Sequence, residues 1–413
     1  MKKVFLKTLM VAGVSGVMAG CADDIENLYD PNYVSAKQEY ESQWKKQFGT
    51  IDPQQDWGFG SEAEAQAVAT RWANTSQNQW EESVIVPDSI TADEIEKVLA
   101  VFNQKIDAKD GVKVNWSEFF VQHVYQGNNS YVTEPDQNGH TQTLENVKLD
   151  NLRTAYTDDE GNLVYEHVNN FNCSYGSIML MQASGTEGFA YTNPKDSGKE
   201  YYDYVIKEID GAYYVGFDFR CEDPNVTVLA DGIYNDWIVK ISPAEYKNAK
   251  RIICEDLGNI GDFDFNDIVF DAYMTWTWNG TANVPEAVIS VKAAGGTLPI
   301  YINGVEVHEA MGVPTDVMVN TGAANGVSAP AAIFRVPASS ENIIDIEVKV
   351  NGALVLEAPQ GDAPQKICVP TTFKWCTERT NIKDAYAGFT AWTQDANSNT
   401  DWYNSSAEGT VME

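Results

Sequence analysis

From Ile268 to Asn279 the chain alternates in character. Ile268, Phe270, Ala272, Met274, Trp276 and Trp278 fall on one side, and Val269, Asp271, Tyr273, Thr275, Thr277 and Asn279 on the other. A period of two is the signature of an extended strand with one face turned into a core, because successive side chains point to opposite faces of a sheet. Turn dipeptides elsewhere fix how such strands connect. Asp210-Gly211 separates Tyr204–Ile209 from Ala212–Phe217, Asn303-Gly304 separates Leu298–Ile302 from Val305–His308, and Asn351-Gly352 separates Ile344–Val350 from Ala353–Glu357. Both residues of such a pair tolerate positive φ, which the type I′ turn requires and which matches the twist of paired strands. Hairpins without alternating helices predict a mainly β chain, with antiparallel β-sandwich or jelly-roll domains and a few N-terminal helices.

Two helices are predicted ahead of the strands. Thr91-Ala-Asp-Glu94 is a capping box, and Ile95, Val98, Leu99, Phe102 and Ile106 follow it at helical spacing on one face. A second helix is expected around Ser35 to Phe48, within a polar stretch from Asp24 to Phe59 that reads as a tether. The expected organisation is a signal peptide over 1–20, a tether over 21–60, a β-rich domain with helices over 61–245 and a β-sandwich domain over 246–413. Asn320 to Pro330 is rich in small residues and reads as a long loop.

Lys2, Lys3 and Lys7 precede the apolar run Thr8 to Ala19, and Met18-Ala-Gly-Cys21 closes it with small residues. That is the layout of a cleaved export signal, and it resembles a bacterial lipoprotein signal in which the Cys21 thiol carries the lipid. The run is too short to span a bilayer, which takes roughly 20 apolar residues. With Asp plus Glu at 60 against Lys plus Arg at 28, the formal net charge is -32. Such a charge repels phosphate backbones and anionic lipid surfaces, so nucleic acid is excluded as a partner. It does not defeat an acyl anchor, whose chains contribute ~0.8 kcal/mol for each buried CH2. Ala22, Asp23 and Asp24, which follow Cys21, resemble the acidic export signal of Bacteroidetes lipoproteins, which implies an outer-membrane location facing the cell exterior.

The remaining cysteines are Cys173, Cys221, Cys254, Cys368 and Cys376. Their number is odd in a compartment that permits disulfides, and they are expected to be mostly small buried hydrophobes.

The most informative stretch is Gly261-Asp-Phe-Asp-Phe-Asn-Asp-Ile-Val-Phe-Asp271, which has an echo in Asp231-Gly-Ile-Tyr-Asn-Asp-Trp-Ile-Val-Lys-Ile241. Asp231, Asn235 and Asp236 stand where Asp262, Asn266 and Asp267 stand in the second copy. Two readings compete. In one, the Asp and Asn side chains bond local amides and shape turns that launch paired strands. In the other, Asp262, Asp264, Asn266, Asp267, Asp231 and Asp236 supply the oxygens that calcium takes at about 2.3 to 2.6 Å, and calcium is the expected cofactor. The loop is not an EF-hand, since Asp267 occupies the position of the obligatory glycine and Tyr273 that of the closing glutamate.

The pieces Cys254-Glu-Asp-Leu-Gly258, Asp262 to Phe270, Ala294-Gly-Gly-Thr-Leu-Pro-Ile300, Glu306-Val-His-Glu309 and Met318-Val-Asn-Thr-Gly322 occur in that order. Together they resemble the LruC-type domain of Bacteroidetes surface lipoproteins, over roughly Arg251 to Trp402. Asp231 to Ile241 and Trp116-Ser-Glu-Phe-Phe120 look like the segment that commonly precedes it. The resemblance implies a surface-attached β-rich protein with no established enzymatic activity, and it carries over no catalytic residues.

No constellation for catalysis stands out. The histidines are His123, His140, His167 and His308, and Gly312 occupies the place where a zincin motif opened by His308-Glu309 would need its second histidine. There is no nucleophile elbow and no phosphate-cradling glycine loop. The leading expectation is a non-enzymatic surface module for binding or adhesion, with a glycan or protein ligand and calcium stiffening its acidic loops. Loop aromatics such as Trp237, Trp392, Trp402 or Tyr403 would offer a sugar platform. The alternatives are a structural or accessory component of an envelope assembly and a glycoside hydrolase working with paired carboxylates.

Overall fold

The structure is a computed structural model that describes residues 35–59, 85, 87–116, 118–126, 204–218, 231–258, 260–278 and 281–413, with the backbone of short strands between 132 and 191. The signal segment, Cys21 and the acids after it lie outside the described residues. The architecture is mainly antiparallel sheet with few helices. The first sheet is built from β1 (Glu118–Gln126), β2 (Asn170–Ser174), β3 (Tyr204–Ile209), β4 (Ala212–Phe217) and β5 (Trp237–Pro243), in spatial order β2-β1-β5-β4-β3. The second holds β6 (Lys250–Cys254), β7 (Ile268–Trp278), β8 (Asn283–Ala293), β11 (Ala332–Pro337) and β14 (Lys366–Pro370), in order β11-β8-β7-β6-β14. A small sheet joins β9 (Ile300–Ile302), β10 (Val305–Glu306), β12 (Val348–Val350) and β13 (Leu354–Val355), and β15 (Trp375–Cys376) pairs with β16 (Val411–Met412).

The predicted turns form as the dipeptides dictate. Asp210 and Gly211 have φ of 51° and 79°, Asn303 and Gly304 of 42° and 87°, and Asn351 and Gly352 of 52° and 75°. The strand expected over Ile344–Val350 is shorter, because a 3-10 turn occupies Ile343–Asp345 before β12. Helix α2 (Ala92–Phe102) begins at the predicted capping box, where the Thr91 side chain accepts from Glu94 N and the Glu94 side chain from Thr91 N. Its Val98 and Phe102 are buried with Val205, Tyr214 and Ile238, so α2 covers the outer face of the first sheet.

The second sheet is covered on both faces. Ile268, Phe270, Ala272 and Met274 point with Ile252 and Cys254 into a core closed by the small sheet and by α3 (Val307–Met311). Trp276, expected on that face, is only partly buried. The opposite face is shared. At one end Val288 and Ile333 meet the first sheet through Phe119, Val239 and Ile241. At the other end Ile253, Val269 and Ile367 lie under an aromatic core that includes α1 (Ala36–Phe48) and the C-terminal helices α4 (Ile382–Ala385) and α5 (Phe389–Gln394).

This second covering corrects the tether reading for residues 35–59. Helix α1 forms where expected, with a Ser35–Gln38 capping box, and Tyr40, Trp44 and Phe48 at four-residue spacing are each 1% exposed. Trp57 is fully buried beside them. The segment is part of the core of the C-terminal half.

Candidate functional site

The acidic stretch forms the connection from β6 to β7. Phe263 and Phe265 adopt left-handed φ of 49° and 53°, a region that costs a bulky residue roughly 1–2 kcal/mol. Two features offset that cost. Both rings are fully buried in the aromatic core, against Tyr40, Trp44 and Phe48 in the case of Phe263. Their amides also find a common partner, since Phe263 N donates to Glu255 Oε1 at 3.2 Å and Phe265 N to Glu255 Oε2 at 3.0 Å. Glu255 is itself 1% exposed. Between the two rings, Asp264 accepts from Asn266 N at 3.3 Å and from Arg379 N at 2.7 Å. Asp267 accepts from Asp256 N at 2.7 Å, and Asp256 accepts from Gly258 N.

The loop Ala294–Gly296 closes over this knot. Gly295 N donates to Asn266 O at 3.0 Å and to Asp267 O at 3.1 Å. A Cβ at Gly295 would lie 2.4 Å from Asn266 Oδ1, so only glycine permits the approach. Asn266 donates through Nδ2 to Cys376 O at 3.1 Å, while its buried Oδ1 has no hydrogen-bond partner.

The electrostatics follow from burial without a cationic side chain to offset it. Burial pushes Glu255 well above the usual carboxylate range, with Asp267, Asp264 and Asp262 adding repulsion. Burial likewise raises Asp267, reinforced by Asp256 and Asp264, although the residue as a whole is only partly buried. Asp264 is pushed up to about 7 by burial and by Asp262, against the pull of its two amide donors. Asp256 is raised by burial, and so is Glu378, which also feels Asp262. No Lys or Arg side chain pairs with Glu255, Asp256, Asp264 or Asp267 among the described residues.

The structure thus brings Asp264, Asn266 and Asp267 together with Asp262 nearby, and adds Glu255 and Asp256, which motif reading missed as site residues. Asp231 and Asp236 lie elsewhere, at the entry to β5 in the first sheet, where Asp231 Oδ1 accepts from Ile233 N at 2.8 Å. The two copies launch strands of different sheets and do not converge. Among the described residues no three His, Cys, Asp or Glu side chains gather as a ready-made metal shell.

The aromatic platform is corrected for its three tryptophans, while Tyr403 is partly buried against Trp402 and Phe59. Trp237, Trp392 and Trp402 are 2%, 1% and 5% exposed, and Trp392 stacks on Trp402 within the core. Their rings serve packing and are closed to a sugar.

Residues 358–403 match a family model described as a domain of unknown function, DUF4842. No curated protein matches the chain. The crystal structure of a "Putative lipoprotein" from Bacteroides ovatus aligns at 15% identity over 64% of this chain and 99% of that one, with a TM-score of 0.29, a likeness too low to carry an argument.

Proposed function

We propose that the chain is a non-enzymatic lipoprotein, anchored through Cys21 on the outer face of the outer membrane, that works as a binding or adhesion module on a body stiffened at its acidic knot by calcium. One observation supports it above the others. The buried acids are committed to architecture, since Glu255 and Asp264 each place both carboxylate oxygens on backbone amides. A pair of catalytic carboxylates needs the opposite, groups presented to substrate and water.

The calcium part of the reading rests on repulsion. Carboxyl groups packed in a low-dielectric site cannot all ionise unless a cation neutralises them, and without one some of them keep their protons. Asp256 and Asp267 each keep one carboxylate oxygen outside the hydrogen bonds described above, and these are the oxygens a calcium ion would take. The anchor is tested by feeding cells an alkyne fatty acid. The parent should be labelled and Cys21→Ser should not, and surface protease should digest the parent on intact cells. Calcium is tested by thermal unfolding of the chain from Asp23 onward in EDTA and in excess calcium. Ligand at 100 times its dissociation constant stabilises a fold by ~2.7 kcal/mol, so a midpoint that does not move removes calcium from the reading.

A further inference from the structure

The segment 35–59 and the family-matched segment 358–403 are far apart in sequence and meet at several points from Tyr40 to Trp57. Helix α1 lays Tyr40, Trp44 and Phe48 against Phe389 and the rings of Phe263 and Phe265. The strap that follows is gripped through its backbone at three residues. Asp52 N donates to Thr393 O at 3.0 Å, Gly361 N to Gln55 O at 3.0 Å, and Cys368 N to Trp57 O at 2.8 Å. The last of these bonds occupies an amide on β14, the edge strand of the second sheet. Side chains add to it, with Tyr40 Oη donating to Pro364 O at 2.6 Å and Trp57 Nε1 to Asp362 O at 2.9 Å. At Gly361, φ is +72° and a Cβ would lie 2.8 Å from Pro53 O, so the approach of the two backbones requires glycine there.

Such a union has the features of peptide recognition. An amphipathic helix supplies aromatic anchors at i, i+4 and i+8, and an extended stretch meets a sheet edge through main-chain hydrogen bonds. The anchors are large, fully desolvated rings in contact with one another, the arrangement that concentrates binding energy.

We propose that residues 358–403, together with the rings of Phe263 and Phe265, form a receptor whose ligand is the segment 35–59, and that this non-covalent grip is enough by itself to hold the folded body to whatever carries the N-terminus. The proposal does not depend on the lipid, since any attachment ahead of Ser35 is held in the same way. Force or diffusion acting on the N-terminus is delivered to the C-terminal half directly, and the first sheet hangs from that half.

The test uses the full chain from Ala22 with a biotinylated tag ahead of it, bound to streptavidin beads. One version carries a specific protease site within long Gly-Ser spacers between Ala73 and Asn74, and another carries it between Asn32 and Tyr33. Cutting is scored on a denaturing gel. The body should stay on the beads after the cut at 73/74 and leave them after the cut at 32/33, with release at least about tenfold slower in the first case. Trp44→Ala with Phe48→Ala should abolish the retention after the cut at 73/74. Release of the parent body at the same rate from both cuts would overturn the proposal, and that comparison requires no variant that alters the core.

Discussion

Trp44 offers the sharpest test of residues 35–59 as core. Its indole is 1% exposed and its ring centroid lies 4.4 Å from Phe48, 5.5 Å from Phe263, 5.8 Å from Trp57 and 6.0 Å from Phe265. Trp44→Ala removes all of these contacts from a packed environment and should cost about 3–5 kcal/mol. The companion change separates packing from hydrogen bonding. Trp44 Nε1 is buried with no hydrogen-bond partner, so Trp44→Phe discards an unsatisfied donor while keeping an aromatic ring in place. Relief of that donor, about 1–3 kcal/mol, offsets the smaller void, and the net change should stay within about 1.5 kcal/mol of zero. Guanidinium unfolding followed by far-ultraviolet circular dichroism reads both. At a slope of about 4 kcal/mol per molar, Trp44→Ala should lower the midpoint by about 1 M, and Trp44→Phe should barely move it. A Trp44→Ala chain as stable as the parent would refute the core assignment and restore the tether.

Two further outcomes follow from local geometry. Gly295→Ala should lose about 1–3 kcal/mol in the same assay, because its Cβ meets Asn266 Oδ1 while the amide of residue 295 stays bound to Asn266 O. Thr91→Ala should cost about 1 kcal/mol by removing one half of the capping box of α2, and Thr91→Ser should restore most of it.

What was legible in the sequence is what short-range physics determines. Asp-Gly and Asn-Gly pairs fix hairpins, Thr91 and Glu94 fix a helix start, and alternation fixes β7. Helix α1 was visible as a helix, and its burial was not, because only Tyr40, Trp44 and Phe48 interrupt an otherwise polar surface. Their four-residue spacing was the available signal. The acidic knot depends on a partner across the loop. Nothing in Glu255 announces that its two oxygens will hold the amides of Phe263 and Phe265, and phenylalanine has no preference for left-handed φ. The repeat misled in a different way. Both copies do launch strands, but Asp231 and Asp262 serve different sheets, and sequence similarity carries no information about sheet partners. Trp392 and Trp402 read as loop aromatics because their neighbours are small and polar, and their burial comes from contacts with each other and with Phe389.

The carboxyl groups of Glu255, Asp256, Asp264 and Asp267 resist ionisation, and the fold bears the consequence. Their folded pKa values lie above the unfolded ones, so the native state holds extra protons between about pH 4 and, for Asp264, about 7. Stability from these groups is therefore lost as pH rises through that window. Urea unfolding in EDTA at pH 5.5 and at pH 7.5 measures the loss directly. Asp267→Asn serves as the comparison, because its amide oxygen can still accept from Asp256 N while the charge is gone. The parent should be less stable at pH 7.5 than at pH 5.5, and Asp267→Asn should narrow that difference and be more stable than the parent at pH 7.5. A parent equally or more stable at pH 7.5, or a variant with the parent's full pH dependence, would contradict the account.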